Sequence, residues 1–301
     1  MSVPRSELIH RSIPSMELSS GSGTSKTAVP SPVPASLSPT DRALARFAVT
    51  GNALVAGGAG DIGLAACRAL LEHGLSGLAI LDLSSSAGDA AVASLRAGFP
   101  SATITFHRVD VTSASEVAAA ISAAEDRLGG AITTCCIFAG IVGSAHALNL
   151  EPPQFRTMLD VNATGTFLVA QAAARAMVAR GVTGSVVLTA SISGAHLVNF
   201  PQPQAHYNAA KAAVLALKSS LAAEWARHGI RVNSVSPGYV DTVLNEGEGL
   251  EAHRREWARR TPWGRMGVSE EVTGAVVLLA SRAGSYMTGA DILVDGGISV
   301  F

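Results

Sequence analysis

Short apolar runs alternate along most of the chain with longer stretches whose apolar residues recur at helical spacing. The runs at 53–56, 78–82, 103–107, 131–138, 184–190, 230–235 and 291–294 read as strands buried on both faces. Between them, 62–73, 86–97, 113–128, 154–180, 205–228 and 269–281 carry apolar residues every three to four positions, the stripe of an amphipathic helix. Such regular alternation predicts an α/β fold: a doubly wound parallel sheet with helices on both faces and right-handed crossovers. Ligands in such sheets bind beyond the carboxyl ends of the strands, where the strand order reverses. Residues that follow strand ends are therefore the ones to inspect for chemistry.

The pattern starts late. "SSGSGTSKTAVPSPVPASLSPT" (19–40) is rich in Ser, Pro, Gly and Thr and has no apolar period, so residues 1–44 are expected to form a disordered arm and 45–301 a single domain. The arm carries Arg5, Arg11 and Lys26 but also Glu7 and Glu17 and no apolar signal core, which gives a transit peptide little support. A net charge of −1, with 15% charged residues, leaves no basic surface for nucleic acid. No apolar run reaches the roughly 18 residues that a membrane span requires. Cys67, Cys135 and Cys136 lie inside apolar helix or strand patterns, as reduced core residues of a cytosol-like compartment would. Neighbours on a strand point to opposite faces, so Cys135 and Cys136 are not expected to pair, and no metal-ligand spacing surrounds them.

The first strand opens into "AGGAGDIGLA" (56–65) and then a helical run. Strand, glycine-rich turn and helix start make a phosphate loop, because the first amides of a helix and its dipole favour an anion there. Gly58, Gly60 and Gly63 fit the general G-x-G-x-x-G pattern, whereas Gly57, Gly60 and Gly63 resemble the loop of sugar-nucleotide epimerases. Asp61 would repel a phosphate, so it is expected to be the helix N-cap, bonding the next amides and facing away from the ligand. About 20 residues on, Asp82 ends the second strand, where an acid accepts hydrogen bonds from an adenine ribose and repels a 2′-phosphate. No Arg follows within several residues, the nearest downstream being Arg96, so NAD is expected over NADP. The other reading of Asp82 is a cap on the loop that follows.

"AHYNAAKAAVLALKSSLAAEWARH" (205–228) holds Tyr207 and Lys211 four apart, on one helical face. A free phenol, with a pKa of about 10, is a poor base at neutral pH, and an ammonium nearby stabilises its phenolate. By itself the pair could equally be two long side chains snorkelling from an amphipathic helix.

Five further segments, in order, resemble the short-chain dehydrogenase/reductase family of the short single-domain, Rossmann-type kind, over about residues 47–298. They are "LDVNATGTF" (159–167), "GSVVLTASISG" (184–194), "YNAAK", "RVNSVSPGYVDT" (231–242) and the closing "YMTGADILVDGG". The order of these segments and the body length favour this family over the epimerase spacing. The resemblance implies alcohol–ketone interconversion by hydride transfer with a nicotinamide cofactor. It implies Tyr207 as general acid/base, Ser191 as orienting hydroxyl, Lys211 as the group that lowers the Tyr207 pKa and bonds the nicotinamide ribose, and Asn162 as holder of a relay water. It places Gly57, Gly60, Asp61, Ile62 and Gly63 at the pyrophosphate, Asp82, Leu83, Asp110 and Val111 at the adenosine, and Ala139 and Gly140 beside the cofactor. Pro237, Gly238, Val240 and Thr242 fall at the nicotinamide carboxamide, and Ser193 reads as structural. The chain departs from the family pattern at Ala56, where a Thr is usual, at Asp61, where a Gly is usual, and at "CIFAGI", which keeps only Ala139 and Gly140 of Asn-Asn-Ala-Gly.

"NFPQPQ" (199–204) and its sequel resemble the branch that acts on sugar alcohols and ketoses. His146, Asn199, Gln202, Gln204 and His206 are either hydrogen-bond partners for a polyhydroxy substrate or ordinary loop polars. The stretch 243–266 is expected to form a mobile lid in which Trp257 and Trp263 line the pocket or pack the lid. A ketoreductase of bulkier, less polar metabolites and a non-catalytic nicotinamide-binding protein are the rival readings. The Ala-rich helix around Tyr207 has a small-residue outer face, and the resemblance implies a homotetramer or homodimer, located in the cytoplasm.

Overall fold

The computed structural model describes residues 13–301; the arm residues 1–12, with Arg5, Glu7 and Arg11, lie outside the described residues. Seven strands, β1 (Asn52–Ala56), β2 (Gly77–Asp82), β3 (Thr103–Arg108), β4 (Ile132–Ile137), β5 (Gly184–Thr189), β6 (Ile230–Pro237) and β7 (Asp291–Val294), form one sheet in the order β3-β2-β1-β4-β5-β6-β7. Every pairing is parallel. The order reverses between β1 and β4, which opens a crevice beyond their carboxyl ends. This is the doubly wound, Rossmann-type architecture that the periodicity predicts.

The helices are α1 (Pro39–Phe47), α2 (Asp61–Glu72), α3 (Ser85–Gly98), α4 (Ala114–Leu128), α5 (Pro152–Leu159), α6 (Thr166–Ala179), α7 (Ala205–Trp225), α8 (Glu251–Arg260) and α9 (Ser269–Ala280). Strand residues alternate between two apolar layers. Leu54, Cys135 and Leu188 pack with Val117 and Ile121 of α4, Met177 of α6 and Val214 of α7. Val55, Cys136 and Val187 pack with Leu70 of α2, Leu95 of α3 and Val276 of α9. Cys135 and Cys136 thus face opposite layers, and all three thiols are free and buried. Burial pushes the Cys136 thiol up to about 12.

The long helix expected over 154–180 is interrupted. Between α5 and α6 the chain makes a π-helical turn, Asp160–Gly165. Asn162 is wholly buried in it, and its Nδ2 donates to the carbonyls of Met158 (3.1 Å) and Ile141 (3.0 Å). The side chain thereby takes a carbonyl of the preceding turn, and such insertions widen a helix at functional positions.

Two helices lie where no apolar stripe announces them. α1 begins at Pro39, before the expected end of the arm at 44; Ser38 caps it by accepting from Asp41 N, and none of its residues is buried. α8 is almost entirely polar and buries only Trp257. It is supported by ion pairs Glu251–Arg255 and Glu256–Arg259 and by acid-first, base-last placement along its dipole. The segment 13–38 has no helix or strand, yet it touches the body: Lys26 Nζ donates to Gly181 O (2.6 Å), Arg227 pairs with Glu17 and Arg282 donates to Ser31 O.

Candidate active site

The glycine loop turns directly at the end of β1. Gly57 has φ +72°, and a Cβ there would strike the backbone of Ala139, while a Cβ on Gly63 would strike the Gly57 carbonyl. Loop and helix start are therefore packed backbone to backbone, as close approach to a pyrophosphate requires. Where the family pattern has Thr, Ala56 links the strands through its carbonyl, which accepts from Phe138 N (2.7 Å) and Ala139 N (3.0 Å).

Asp61 departs from expectation. The N-cap of α2 is Gly60, which makes no side-chain cap, and Asp61 is the first helical residue. Its carboxylate reaches across to the lid region and accepts from Val243 N at 2.8 Å. A carboxylate is already favourable in the first turn of a helix, so it is free to take a partner outside its own helix.

Asp82 braces the loop as well as ending β2. One oxygen accepts from Ala59 N and the other from Ser84 N, both at 3.2 Å. A carboxylate offers about four acceptor sites, so two remain for a ribose diol. Leu83 beside it is exposed. The sheet also brings to Asp82 a cation that the local sequence conceals: Arg108 is its registered partner on β3 and is exposed. Asp110 accepts from the hydroxyl (2.7 Å) and amide (2.9 Å) of Thr112. Those bonds chiefly, and the charge of Arg108 more weakly, hold its carboxyl below the usual range. Val111 packs on Gly165 in the π turn.

Beyond β4, a Cβ on Gly140 would lie 2.6 Å from Asn162 Oδ1 and 3.8 Å from Lys211 Nζ, so this glycine sits between the two. Asn162 Oδ1 also accepts from Ile141 N (3.3 Å). Ser191 follows β5, is buried and accepts from Ser193 N (3.1 Å). Lys211, one turn after Tyr207 on α7, places Nζ 5.7 Å from the Tyr207 ring and donates to Thr189 O at 2.9 Å. The tertiary structure thus sets Asn162 and Lys211 against Gly140, with Tyr207 one turn before Lys211 on α7.

Burial sets the electrostatics of the Tyr207–Lys211 pair first. It pushes the phenol up, and the Ser191 hydroxyl pulls it back. Lys211 is only 5% exposed, and burial lowers its ammonium to about 8. Desolvation, the penalty on any charge taken out of water, dominates both groups.

Pro237 closes β6, Gly238 N donates to Val294 O (3.0 Å), and buried Thr242 and Val240 follow. Between them lies Tyr239, which the sequence reading passed over although it adjoins the Pro-Gly turn. It stacks on Trp257 with ring centroids 4.5 Å apart. Its hydroxyl accepts from Asn199 Nδ2 (3.3 Å) and Gln202 Nε2 (3.1 Å). Gln202 Oε1 accepts from Trp257 Nε1 (2.9 Å), and Gln204 binds Gly143 O and Gln202. Gln202 therefore spends a hydrogen bond on holding loop to lid, and Gln204 ties the same loop to the Gly143 segment. Asn199 Oδ1 and His206 Nδ1 are buried with no protein partner, whereas His146 is exposed at a 3₁₀ turn. The two tryptophans divide: Trp257, 3% exposed, packs the lid, and Trp263, 69% exposed, lines an open cavity of about 480 Å³ beside Tyr239 and Arg265.

Fold and side-chain cluster define a nicotinamide-dependent oxidoreductase that acts on CH–OH groups. A family model described as enoyl-(acyl carrier protein) reductase matches residues 57–299, and the chain belongs to the short-chain dehydrogenase/reductase family. It is similar to the L-tagatose-forming galactitol 2-dehydrogenase of Cereibacter sphaeroides, with 39% identity over 83% of this chain and 95% of that one. It is also similar to a probable NADP-dependent mannitol dehydrogenase of Yarrowia lipolytica, with 36% identity over 91% and 96%. A crystal structure of a short-chain dehydrogenase/reductase from Mycobacterium marinum superposes with a TM-score of 0.80 and 41% identity, over 85% of this chain and 98% of that one. Among the described residues no helix is long and apolar enough to cross a membrane.

Proposed function

We propose that this chain interconverts a sugar alcohol and its ketose, with NAD as the cofactor. The observation that carries the substrate class is a pair of buried polar atoms without protein partners, Asn199 Oδ1 on the side chain that bonds Tyr239 and His206 Nδ1 in the ring beside Gly143. Buried polar atoms without partners are costly, and a polyhydroxy substrate supplies the missing hydrogen bonds. Similarity to galactitol and mannitol dehydrogenases supports the same class.

In this reading the helix α2 start with Gly57, Gly60, Ile62 and Gly63 holds the pyrophosphate, and Asp82, Leu83, Asp110 and Val111 hold the adenosine. Ala139 and Gly140 floor the crevice, and Pro237, Gly238, Val240 and Thr242 hold the carboxamide. The nicotinamide, when bound, supplies the hydride donor or acceptor. Tyr207 exchanges a proton with the substrate oxygen through its hydroxyl, and Ser191 orients that oxygen and stabilises its charge. Lys211 spends one N–H on Thr189 O and keeps two for ribose hydroxyls. Asn162, locked by the π turn, holds the relay between Lys211 and solvent. Residues 243–266 are the lid, drawn to the 199–204 loop by the Trp257–Gln202 bond.

NADP is the second reading, because Arg108 stands in register beside Asp82 and a mannitol dehydrogenase relative is described as NADP-dependent. The protein is further proposed to be a cytoplasmic homotetramer or homodimer. Its partly apolar groove between α6 and α7, with Phe167, Val178, Leu221 and Trp225, supports a subunit contact. Initial rates with NADH and NADPH, each against ketoses and aromatic ketones, test the proposal. Ketose reduction with NADH is the expected result. Turnover of aromatic ketones alone overturns the substrate class, and turnover with NADPH alone overturns the role of Asp82.

A further inference from the structure

Asp61 is left unexplained by a pyrophosphate-binding loop, since its negative charge opposes that ligand. Its geometry supplies another task. The carboxylate makes no cap on its own helix and instead accepts from Val243 N at 2.8 Å, across 182 residues of chain. Val243 opens the 3₁₀ turn Val243–Asn245, immediately after Thr242. That turn is braced from the other side. Asn245 Nδ2 donates to Val240 O (2.8 Å), and Arg254 of α8 donates to Asn245 O (3.0 Å) and to Asp241 Oδ1 (2.8 Å). The Thr242 segment and the start of α8 are therefore tied into one piece, and among the described residues the Asp61 hydrogen bond is what joins that piece to the glycine loop.

We propose that Asp61 is a positioning residue: a latch that holds the Thr242 turn and the base of the lid against the glycine loop. The inference rests on the reading above, in which loop and turn grip opposite ends of one dinucleotide. It accounts for an acid at a position where charge alone is unfavourable, because the bond fixes the spacing of the two grips and slows lid opening.

The test uses the full-length protein with Asp61→Ala and Asp61→Asn. Asn keeps an oxygen that accepts from Val243 N and removes the charge; Ala removes both. Trypsin cleavage at Arg255, Arg259 and Arg260 is followed without dinucleotide, and the dissociation rate of NADH is followed by fluorescence. For Asp61→Ala, lid cleavage and NADH release are expected to rise about fivefold, the scale of an exposed charge-assisted contact. Asp61→Asn is expected to be cleaved within about twofold of the parent rate and to release NADH no faster than the parent, since it keeps the bond and removes the repulsion. Cleavage of Asp61→Ala at the parental rate overturns the latch, and so does Asp61→Asn behaving like Asp61→Ala, which would leave only a charge effect. Failure of the parent to bind any nicotinamide dinucleotide would instead sink the cofactor reading, while cleavage alone still decides the latch.

Discussion

Lys211 carries a cost that can be measured without any substrate. Its ordinary pKa is 10.5, and burial lowers it to about 8. At about 1.4 kcal/mol per tenfold change, keeping the ammonium protonated at pH 7 costs the folded state about 3 kcal/mol. Lys211→Met keeps most of the stem's packing and removes the charge, but it leaves Thr189 O without its 2.9 Å partner, a loss of about 1–2 kcal/mol. The variant is therefore expected to be more stable at pH 7 by about 1–2 kcal/mol, or about 3–6 °C in Tm for a domain of this size. The sign depends on pH. Between about 8 and 10.5 the unfolded chain holds a proton that folded Lys211 has released, so the stability contributed by the parental lysine rises through that window. Thermal melts of parent and variant from pH 6.5 to 10.5 should show the variant's advantage intact below about 8 and gone, or reversed, near 10.5. An advantage that does not change with pH would refute the desolvated ammonium, and no advantage at pH 7 would refute the magnitude.

Further outcomes follow from the same contacts. Tyr207→Phe should lower kcat about 10²- to 10⁴-fold while far-UV circular dichroism stays unchanged, because proton exchange is lost and packing is kept. Asp82→Ser should reduce kcat/KM with NADH about tenfold or more and shift preference toward NADPH, read from paired initial rates. Gly63→Ala sets a methyl against the Gly57 carbonyl and should cost about 1–3 kcal/mol in urea unfolding. The three buried thiols should react with a thiol reagent at the rate of global unfolding, and fully only in denaturant.

Much of this protein is legible one stretch at a time. A helix repeats every 3.6 residues and a buried strand is continuously apolar, so the apolar runs predict all seven strands and the helices that cover them. The same period puts Tyr207 and Lys211 on one face, and glycine spacing marks the turn after β1. α1 and α8 escape because they bury almost nothing, and a stripe registers only what is buried. What tertiary structure alone decides are partnerships between residues distant in sequence. Register sets Arg108 beside Asp82 although 26 residues separate them. Asp61, which looks like an N-cap, bonds Val243 once α2 and the lid are juxtaposed. Gln202, which by sequence is either a substrate partner or an ordinary loop polar, bonds Tyr239 and Trp257. Burial, a property of the whole fold, moves Lys211 and Tyr207 in directions that a Tyr-x-x-x-Lys spacing does not contain. Local pattern encodes which face a side chain takes; what meets it there depends on how the rest of the chain packs.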